Sequence, residues 1–492
     1  MDTLSALDAQ FLHFEDDVTT LHIGGIAVFE GPSPSYDEFV ASLEAKLPRI
    51  PRYRQRVVSV PLGLGRPIWV DDEHFATRAH VLHTALPAPG GDAALTTLVG
   101  RLMGHRLDRN RPLWQIWLVE NLADQRWALV FKVHHCMVDG VAGVGLLNAV
   151  LDLFPDAEIP PPEPWSPQPP PAPVDRVVAA WAGALGDLGR LLGAVPAAVV
   201  DPVETVKGLA DTAKGVVGFT RHVAPNPHLS IEGGIGPNRS WAHSSVSIAD
   251  IKTVRTALGG TLNDVVLACV ARGFRDLLRA RGDDPDLAVV RTEVPVSVRH
   301  EDGEGVPDNR VSLMLIELPV HLAEPADRLE AVCRAMAEAK ASHMADVGEA
   351  VTHLADLAPP MVVQAVSRVA AQAAHHVHQR VITTVTTNVP GPQFPLYCLG
   401  RHMEAYLPYV PIADGARVGV AILSYDGAIA FGVTGDQDSV PEVNVVAEGA
   451  VDELRDLLAL AQPAATPSRS ARKPAKPAKP RTTKPATRSR EP

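Results

Sequence analysis

The stretch FKVHHCMVDG, Phe131–Gly140, closes one kind of local structure and opens another. The residues before and at its start, WALVFKV (Trp127–Val133), are apolar and rich in strand formers, which predicts a buried strand. Beyond Asp139-Gly140, the apolar positions Leu147, Val150, Leu151 and Phe154 follow the i, i+3, i+4, i+7 spacing of a helix. His134 and His135 therefore stand where a strand ends and a helix follows, a place where α/β proteins often hold catalytic groups. The alternation continues downstream. It predicts a helix over Leu262–Arg281, strands over Val289–Val298 and Val311–Val320, and a helix over Ala326–Ala341. The β-branched run Val381–Thr387 predicts another strand. Val418–Tyr425 and Ala428–Thr434 predict a hairpin turned at Asp426-Gly427. The fold class is α/β, with two similar-sized layers of sheet and helix.

The pattern H-H-x-x-x-D-G is expected about 0.006 times by chance at this composition. An imidazole titrating near neutrality can take a proton from a hydroxyl, so one histidine of the pair is a candidate general base. Neighbours on a strand face opposite ways, so only one can point into a cavity. Asp139 is either an orienter of that ring, a structural acid paired with an arginine, or a helix N-cap. Cys136, next to the histidines, raises a thiol-nucleophile reading. A small buried residue at the turn is the favoured one. His375, His376 and His378 lie in an Ala-rich helical stretch without a nearby carboxylate, and read as a helix face in preference to a metal site.

The length, 492 residues with 46% hydrophobic, suits two domains and excludes a disordered chain. Domain one is 1–155. The proline-dense Ile159–Pro173 and the apolar Arg176–Val217 form a linker and helical crossover over 156–240, and a second domain spans 241–462. The stretch 463–492 reads as a disordered basic Pro/Ala/Lys/Arg tail. From Arg469 onward, nine basic residues and one acid give +8. The net charge of -12 therefore leaves -20 on the rest, which argues against a nucleic-acid enzyme. Four dispersed cysteines without a CxxC pair give neither a disulfide framework nor a structural zinc site, and indicate a reducing compartment. Neither a signal peptide nor a transmembrane run is expected.

Several further segments, read in order, resemble one family. They are SALDAQFLHFED (Ser5–Asp16), LHIGG (Leu21–Gly25), LDRNRPLW (Leu107–Trp114), TLNDVVLA (Thr261–Ala268), VPVSVR (Val294–Arg299), DNRVSLMLIELP (Asp308–Pro319), TTNVPGP (Thr386–Pro392) and SYDG (Ser424–Gly427). Together with the histidine motif the chain resembles, over about 1–460, the bacterial bifunctional wax ester synthase/acyl-CoA:diacylglycerol acyltransferases. These form a branch of the chloramphenicol-acetyltransferase-like superfamily, which also includes peptide-synthetase condensation domains. Cys136 and Met137 depart from the small apolar residues common at those motif positions.

The resemblance implies two chloramphenicol-acetyltransferase-like domains and a fatty acyl transfer from acyl-CoA to diacylglycerol, and to long-chain alcohols. It implies His135 as the general base, without a covalent intermediate. His134, Asp139 and Gly140 would support the motif, Asp139 through an arginine. Asn263 and Asp264 would line or brace the site from the second domain. Pro112, Leu113 and Trp114, and the Asn388–Pro392 turn, would shape it. No cofactor or metal is implied, acyl-CoA being a co-substrate, and no specific nucleic-acid binding is expected. The insoluble acceptors imply a cytoplasmic enzyme held peripherally at a membrane or lipid droplet. Two other classes compete: a carrier-protein-dependent condensation enzyme and a non-catalytic lipid-binding or droplet-surface protein. The first lacks a carrier module in this chain, and the second has no need of the intact His134, His135, Asp139 and Gly140.

Overall fold

A computed structural model describes residues 2–61, 65–137, 147, 149–161, 163–179, 181–182, 228–297, 311–341 and 382–462. Asp139, Gly140, His375, His376, His378 and the basic tail lie outside the described residues, as does most of the apolar segment Arg176–Val217.

Two six-stranded sheets organise the described chain. In chain order the strands are β1 (His22–Phe29), β2 (Val81–Ala85), β3 (Trp114–Leu122), β4 (Arg126–His134), β5 (Arg239–Ser247), β6 (Val290–Ser297), β7 (Val311–Leu318), β8 (Thr384–Val389), β9 (Tyr397–Cys398), β10 (Arg401–Tyr409), β11 (Val418–Tyr425) and β12 (Ala428–Asp436). The helices used below are α1 (Ala6–Phe14), α2 (Tyr36–Lys46), α3 (Asp92–Gly104), α4 (Ile248–Leu258), α5 (Leu262–Arg281), α6 (Pro325–Ala341) and α7 (Asn444–Ala461). The first sheet has the order β9-β10-β1-β4-β3-β2, and the second β7-β6-β8-β11-β12-β5.

Local sequence accounts for the main elements. Helix α5 begins at a reciprocal cap: Thr261 accepts from the Asp264 amide, and the Asp264 carboxylate accepts from the Thr261 amide. It ends at Gly282 in the left-handed region, φ 83°. Between these ends it is buried on nearly all sides, against α4, α6 and α7. Strand β4 is buried from Trp127 to His134, in keeping with a run that is apolar except at Lys132 and His134. The β11–β12 hairpin turns at Asp426-Gly427, with Tyr425 opposite Ala428.

The two sheets interlock. Strands β9 and β10 come from the second half of the chain, yet β10 pairs antiparallel with β1, Gly25 opposite Pro408. At Gly432 on β12, a side chain would run into the Pro408 carbonyl, so glycine lets β12 approach β10. One buried cluster mixes Ile26, Val28 and Val130 with Trp241, Leu407 and Ala430. The Tyr425 hydroxyl donates to the Met403 carbonyl at 2.9 Å.

One expectation is revised. Phe154 is not on the buried helical stripe: it is 66% exposed, beyond the helical residues 149–150. The chain leaves the helix because Asp152 pairs through its backbone with Tyr397, at 2.7 and 2.9 Å, and its carboxylate takes the Lys46 ammonium at 2.8 Å. The proline-dense stretch carries no regular secondary structure over residues 163–172 and is fastened down at several points. Trp165 meets Phe75 edge-on at 6.1 Å and lies under the Arg54 guanidinium at 5.1 Å, and the Gln168 amide donates to Asp71 at 3.0 Å.

Candidate active site

The histidine pair sits at the end of β4, an inner strand of the first sheet. Its two members have different surroundings. His134 is fully buried, and its amide donates to the Leu113 carbonyl at 2.9 Å. Its ring Nδ1 accepts from the Cys136 amide at 3.1 Å, so a neutral ring carries its proton on Nε2. Nε2 faces Glu15 Oε1 at 3.7 Å. Burial, then Arg109, His135 and Arg106, hold the His134 pKa down to about 3. It is a neutral, buried structural imidazole at physiological pH.

His135 begins the short helical turn His135–Met137 and is half-buried. Its amide donates to the Leu21 carbonyl at 2.9 Å. Phe11 of α1 stacks on its ring, centroids 4.1 Å apart and planes 26° apart. Nδ1 is buried and has no hydrogen-bond partner among the described residues. Burial lowers the His135 pKa, opposed by its own backbone carbonyl. The ring is therefore unprotonated near neutrality and partly accessible, as a general base requires.

Behind the pair lies a buried polar layer. Lys132, on the same face of β4 as His134, donates to the Leu102 carbonyl at 2.8 Å and to that of His105. His22, opposite His134 on β1, bonds through Nε2 to the Met103 carbonyl at 2.6 Å. The two side chains thus satisfy carbonyls at the end of α3. Burial pushes the Lys132 ammonium down to about 7, opposed by Glu15. Burial likewise lowers the His22 pKa well below its ordinary value, aided by Lys132. The glycines of LHIGG make room here. A side chain at Gly24 would strike the Phe131 carbonyl and Met103, and one at Gly25 the ring of Tyr406.

Glu15 follows α1 and is buried, its side chain 1% exposed. Arg109 grips its Oε2 through Nε at 2.8 Å and Nη2 at 2.6 Å, and Arg106 reaches the same oxygen at 3.4 Å. The segments Ser5–Asp16, Leu21–Gly25 and Leu107–Trp114 thus converge around the histidines. Within the last, Leu113 supplies the carbonyl for His134, and the Trp114 indole donates to the Tyr53 carbonyl at 2.8 Å.

The other candidate residues make a separate hydrogen-bonded unit. Asn388 donates to the Asn263 side chain at 2.9 Å, joining the NVPGP turn to the start of α5. The Gly391 amide donates to Ser424 Oγ at 3.1 Å, which brings in the SYDG segment. Asp264 is buried in the α5 cap, with Oδ1 unpartnered among the described residues. Among the described residues no hydrogen bond, ion pair or ring contact links Asn263 or Asp264 to the histidines. Cys136 is 3% exposed, and burial pushes its thiol far above the usual range, so it carries no nucleophilic thiolate. Among the described residues no group of three or more His, Cys, Asp or Glu side chains is placed to hold a metal ion.

Phe11, Glu15, His22, Arg106, Arg109 and Lys132 were not singled out by sequence reasoning. Phe11, Glu15, His22 and Arg109 lie inside the segments that carry the resemblance, which was the available signal, but pairing across 94 positions is a tertiary fact.

Comparison with known proteins shows the family. A wax ester synthase/diacylglycerol acyltransferase catalytic domain matches residues 4–266, and the C-terminal domain of the same family matches 308–458. The chain is 37% identical over 465 residues to the probable diacylglycerol O-acyltransferase tgs1 of Mycobacterium tuberculosis, covering 94% of this chain and 97% of the relative. Among solved structures, it is similar to the wax ester synthase/diacylglycerol acyltransferase from Marinobacter aquaeolei VT8. That match has TM-score 0.65 and 26% identity, over 93% of this chain and 99% of the other. The first condensation domain of the calcium-dependent antibiotic synthetase shares the fold, with TM-score 0.56 and 15% identity over 93% and 96% of the two chains.

Proposed function

Because the chain belongs to the wax ester synthase/diacylglycerol acyltransferase family, we propose that it transfers a fatty acyl group from acyl-CoA to the hydroxyl of diacylglycerol, forming triacylglycerol and free CoA. Long-chain alcohols are the second acceptor, giving wax esters. The reading is supported by relatives named as diacylglycerol O-acyltransferases and by a solved relative named for both activities. The observation that carries it is the partly buried, uncharged imidazole of His135 at the end of β4.

His135 takes the hydroxyl proton of the acceptor at its Nε2. The acceptor oxygen attacks the thioester carbonyl carbon, and negative charge collects on the carbonyl oxygen. As the tetrahedral species collapses, the carbon–sulfur bond breaks. The proton on His135 passes to the departing sulfur, so the ring ends neutral and CoA leaves as a thiol. No acyl-enzyme forms, in keeping with the buried, protonated Cys136. His134 supports the turn that carries His135. Asp139 and Gly140 are assigned the same supporting task, Asn263 braces the NVPGP turn, and Asp264 caps the helix that carries Asn263. No cofactor takes part.

The acceptors are insoluble in water, so the enzyme acts at a lipid surface, held peripherally on the cytoplasmic side of a membrane or on a droplet. Among the described residues no single helix is long and apolar enough to cross a membrane. The bent pair α4–α5 passes such a test only jointly, and α5 is mostly buried. The basic tail supplies attraction to anionic lipid.

The test is CoA-thiol release and lipid product analysis with purified protein, acyl-CoA and each acceptor in turn. Acyl-CoA-dependent triacylglycerol formation is the expected result. Acyl transfer to neither acceptor, with folded protein and presented lipid, would contradict the assignment.

A further inference from the structure

We propose that Glu15 is a positioning residue for proton transfer at His135, acting through His134; this rests on the general-base reading above. Two buried polar atoms behind the histidine pair are orphans. Glu15 Oε1 and His134 Nε2 are both buried, and each lacks a hydrogen-bond partner among the described residues. They face each other at 3.7 Å. Buried polar atoms are normally paired, so two unpaired ones aimed at each other mark a contact about 0.5 Å short of closing.

The rest of each side chain is already committed. Arg109 and Arg106 occupy Glu15 Oε2, leaving Oε1 as the free acceptor. Arg109 Nη2 also donates to the Leu12 carbonyl at 2.7 Å, which anchors the clamp to the end of α1. On the other side, the Cys136 amide occupies His134 Nδ1, which places the ring proton on Nε2, toward Glu15. The sequence of contacts is Arg109 to Glu15, Glu15 to His134, and His134 to the backbone of Cys136. That last amide belongs to the turn whose first residue is His135. Glu15 thereby selects the His134 tautomer, and the tautomer decides whether the Cys136 amide is held or repelled. If His134 carried its proton on Nδ1, two donors would confront each other and the turn would shift. A displacement of the reacting ring by about 1 Å can cost a hundredfold in rate.

A carboxylate can accept from Arg109 and from His134 at once through its two oxygens. An amide has one oxygen and turns an NH2 toward one of those donors. Glu15→Gln therefore separates positioning from bulk. The expected result is a fall in kcat of about tenfold to a hundredfold, with KM for acyl-CoA and acceptor within about twofold. In a His134→Gln background, where no tautomer remains to be selected, Glu15→Gln should change kcat by less than about twofold. A Glu15 that merely anchors α1 would cost the same in both backgrounds. Wild-type kcat in Glu15→Gln, or equal losses with and without His134, would overturn the proposal. Should Glu15→Gln fail to fold, Glu15→Asp keeps the charge but retracts it from His134. A kcat between those of wild type and His134→Gln is expected there, and full activity would be contrary. His135→Ala, assayed alongside, keeps the two readings apart. Loss in His135→Ala with a fully active Glu15→Gln rejects the positioning role alone. Wild-type turnover in His135→Ala rejects the general-base reading beneath it.

Discussion

The ring of Phe11 lies against the ring of His135, with centroids 4.1 Å apart and planes 26° apart. The familiar way to orient a catalytic imidazole is a carboxylate on Nδ1. Here Nδ1 has no hydrogen-bond partner among the described residues, and an aromatic face contributes to the orientation. Stacked pairs are worth about 0.5–1.5 kcal/mol beyond their buried area, which converts to at most about tenfold in the population of the correct ring position. Phe11→Ala should lower kcat by about that factor, while Phe11→Tyr, which keeps the stack, should stay near wild type. Steady-state kinetics of the two variants check this, and equal activity of all three proteins would remove Phe11 from the account.

The pH dependence of the rate follows from burial of His135. Its pKa lies below the ordinary 6.5, and the base must be unprotonated to act. The acid limb of kcat/KM should therefore fall below pH 6.5, with a plateau through pH 7–8. A limb centred above 7 would point to a different base.

Stability has its own acid limb. His134 titrates at about 3 when folded and near 6.5 when unfolded, and His22 is shifted in the same direction. In that window the unfolded chain binds the proton and the folded one does not, so stability is lost as pH falls from 6.5 toward 3. One such histidine removes about 2 kcal/mol between pH 7 and 5. Urea unfolding at the two pH values should show a smaller loss in His134→Gln than in wild type. Identical pH dependence in the two would mean that His134 is not held neutral.

Away from the site, Arg328 and Glu453 tie α6 to α7. Both side chains are fully buried and meet at 2.9 and 2.8 Å in a two-pronged contact. Removing one partner of such a pair leaves the other charge buried alone, at a cost of about 3–5 kcal/mol. Glu453→Ala should shift the urea midpoint accordingly. A shift equivalent to less than 1 kcal/mol, on the order of a surface pair, would show that Arg328 finds another partner.

Much of the frame was legible because local signals mark it. Thr261 and Gly282 bracket α5 as a cap and a left-handed stop, and the expected helix has the observed bounds. Asp426-Gly427 fixes the hairpin, and the apolar run before His134 fixes β4. Strand β10 was not legible. Its burial alternates poorly, and its place beside β1 depends on a partner hundreds of residues away in sequence. The same holds for the site. His134 and His135 are adjacent and rare as a pair, so composition alone drew attention to them. Glu15 and Arg109 are ordinary charged residues until the fold brings them behind His134. Cys136 reads as a small buried residue in both sequence and structure, and Cys136→Ala should retain acyl transfer. Trapping of an acyl-thioester on Cys136 would contradict that.

The most direct measurement is CoA release by purified His135→Ala with acyl-CoA and diacylglycerol, set against wild type of equal thermal stability. Loss of a general base commonly costs roughly 10²–10⁴ in rate, and a fall of that size, with the fold intact, is predicted. Turnover close to wild type in the folded variant would show that His135 does not take the proton.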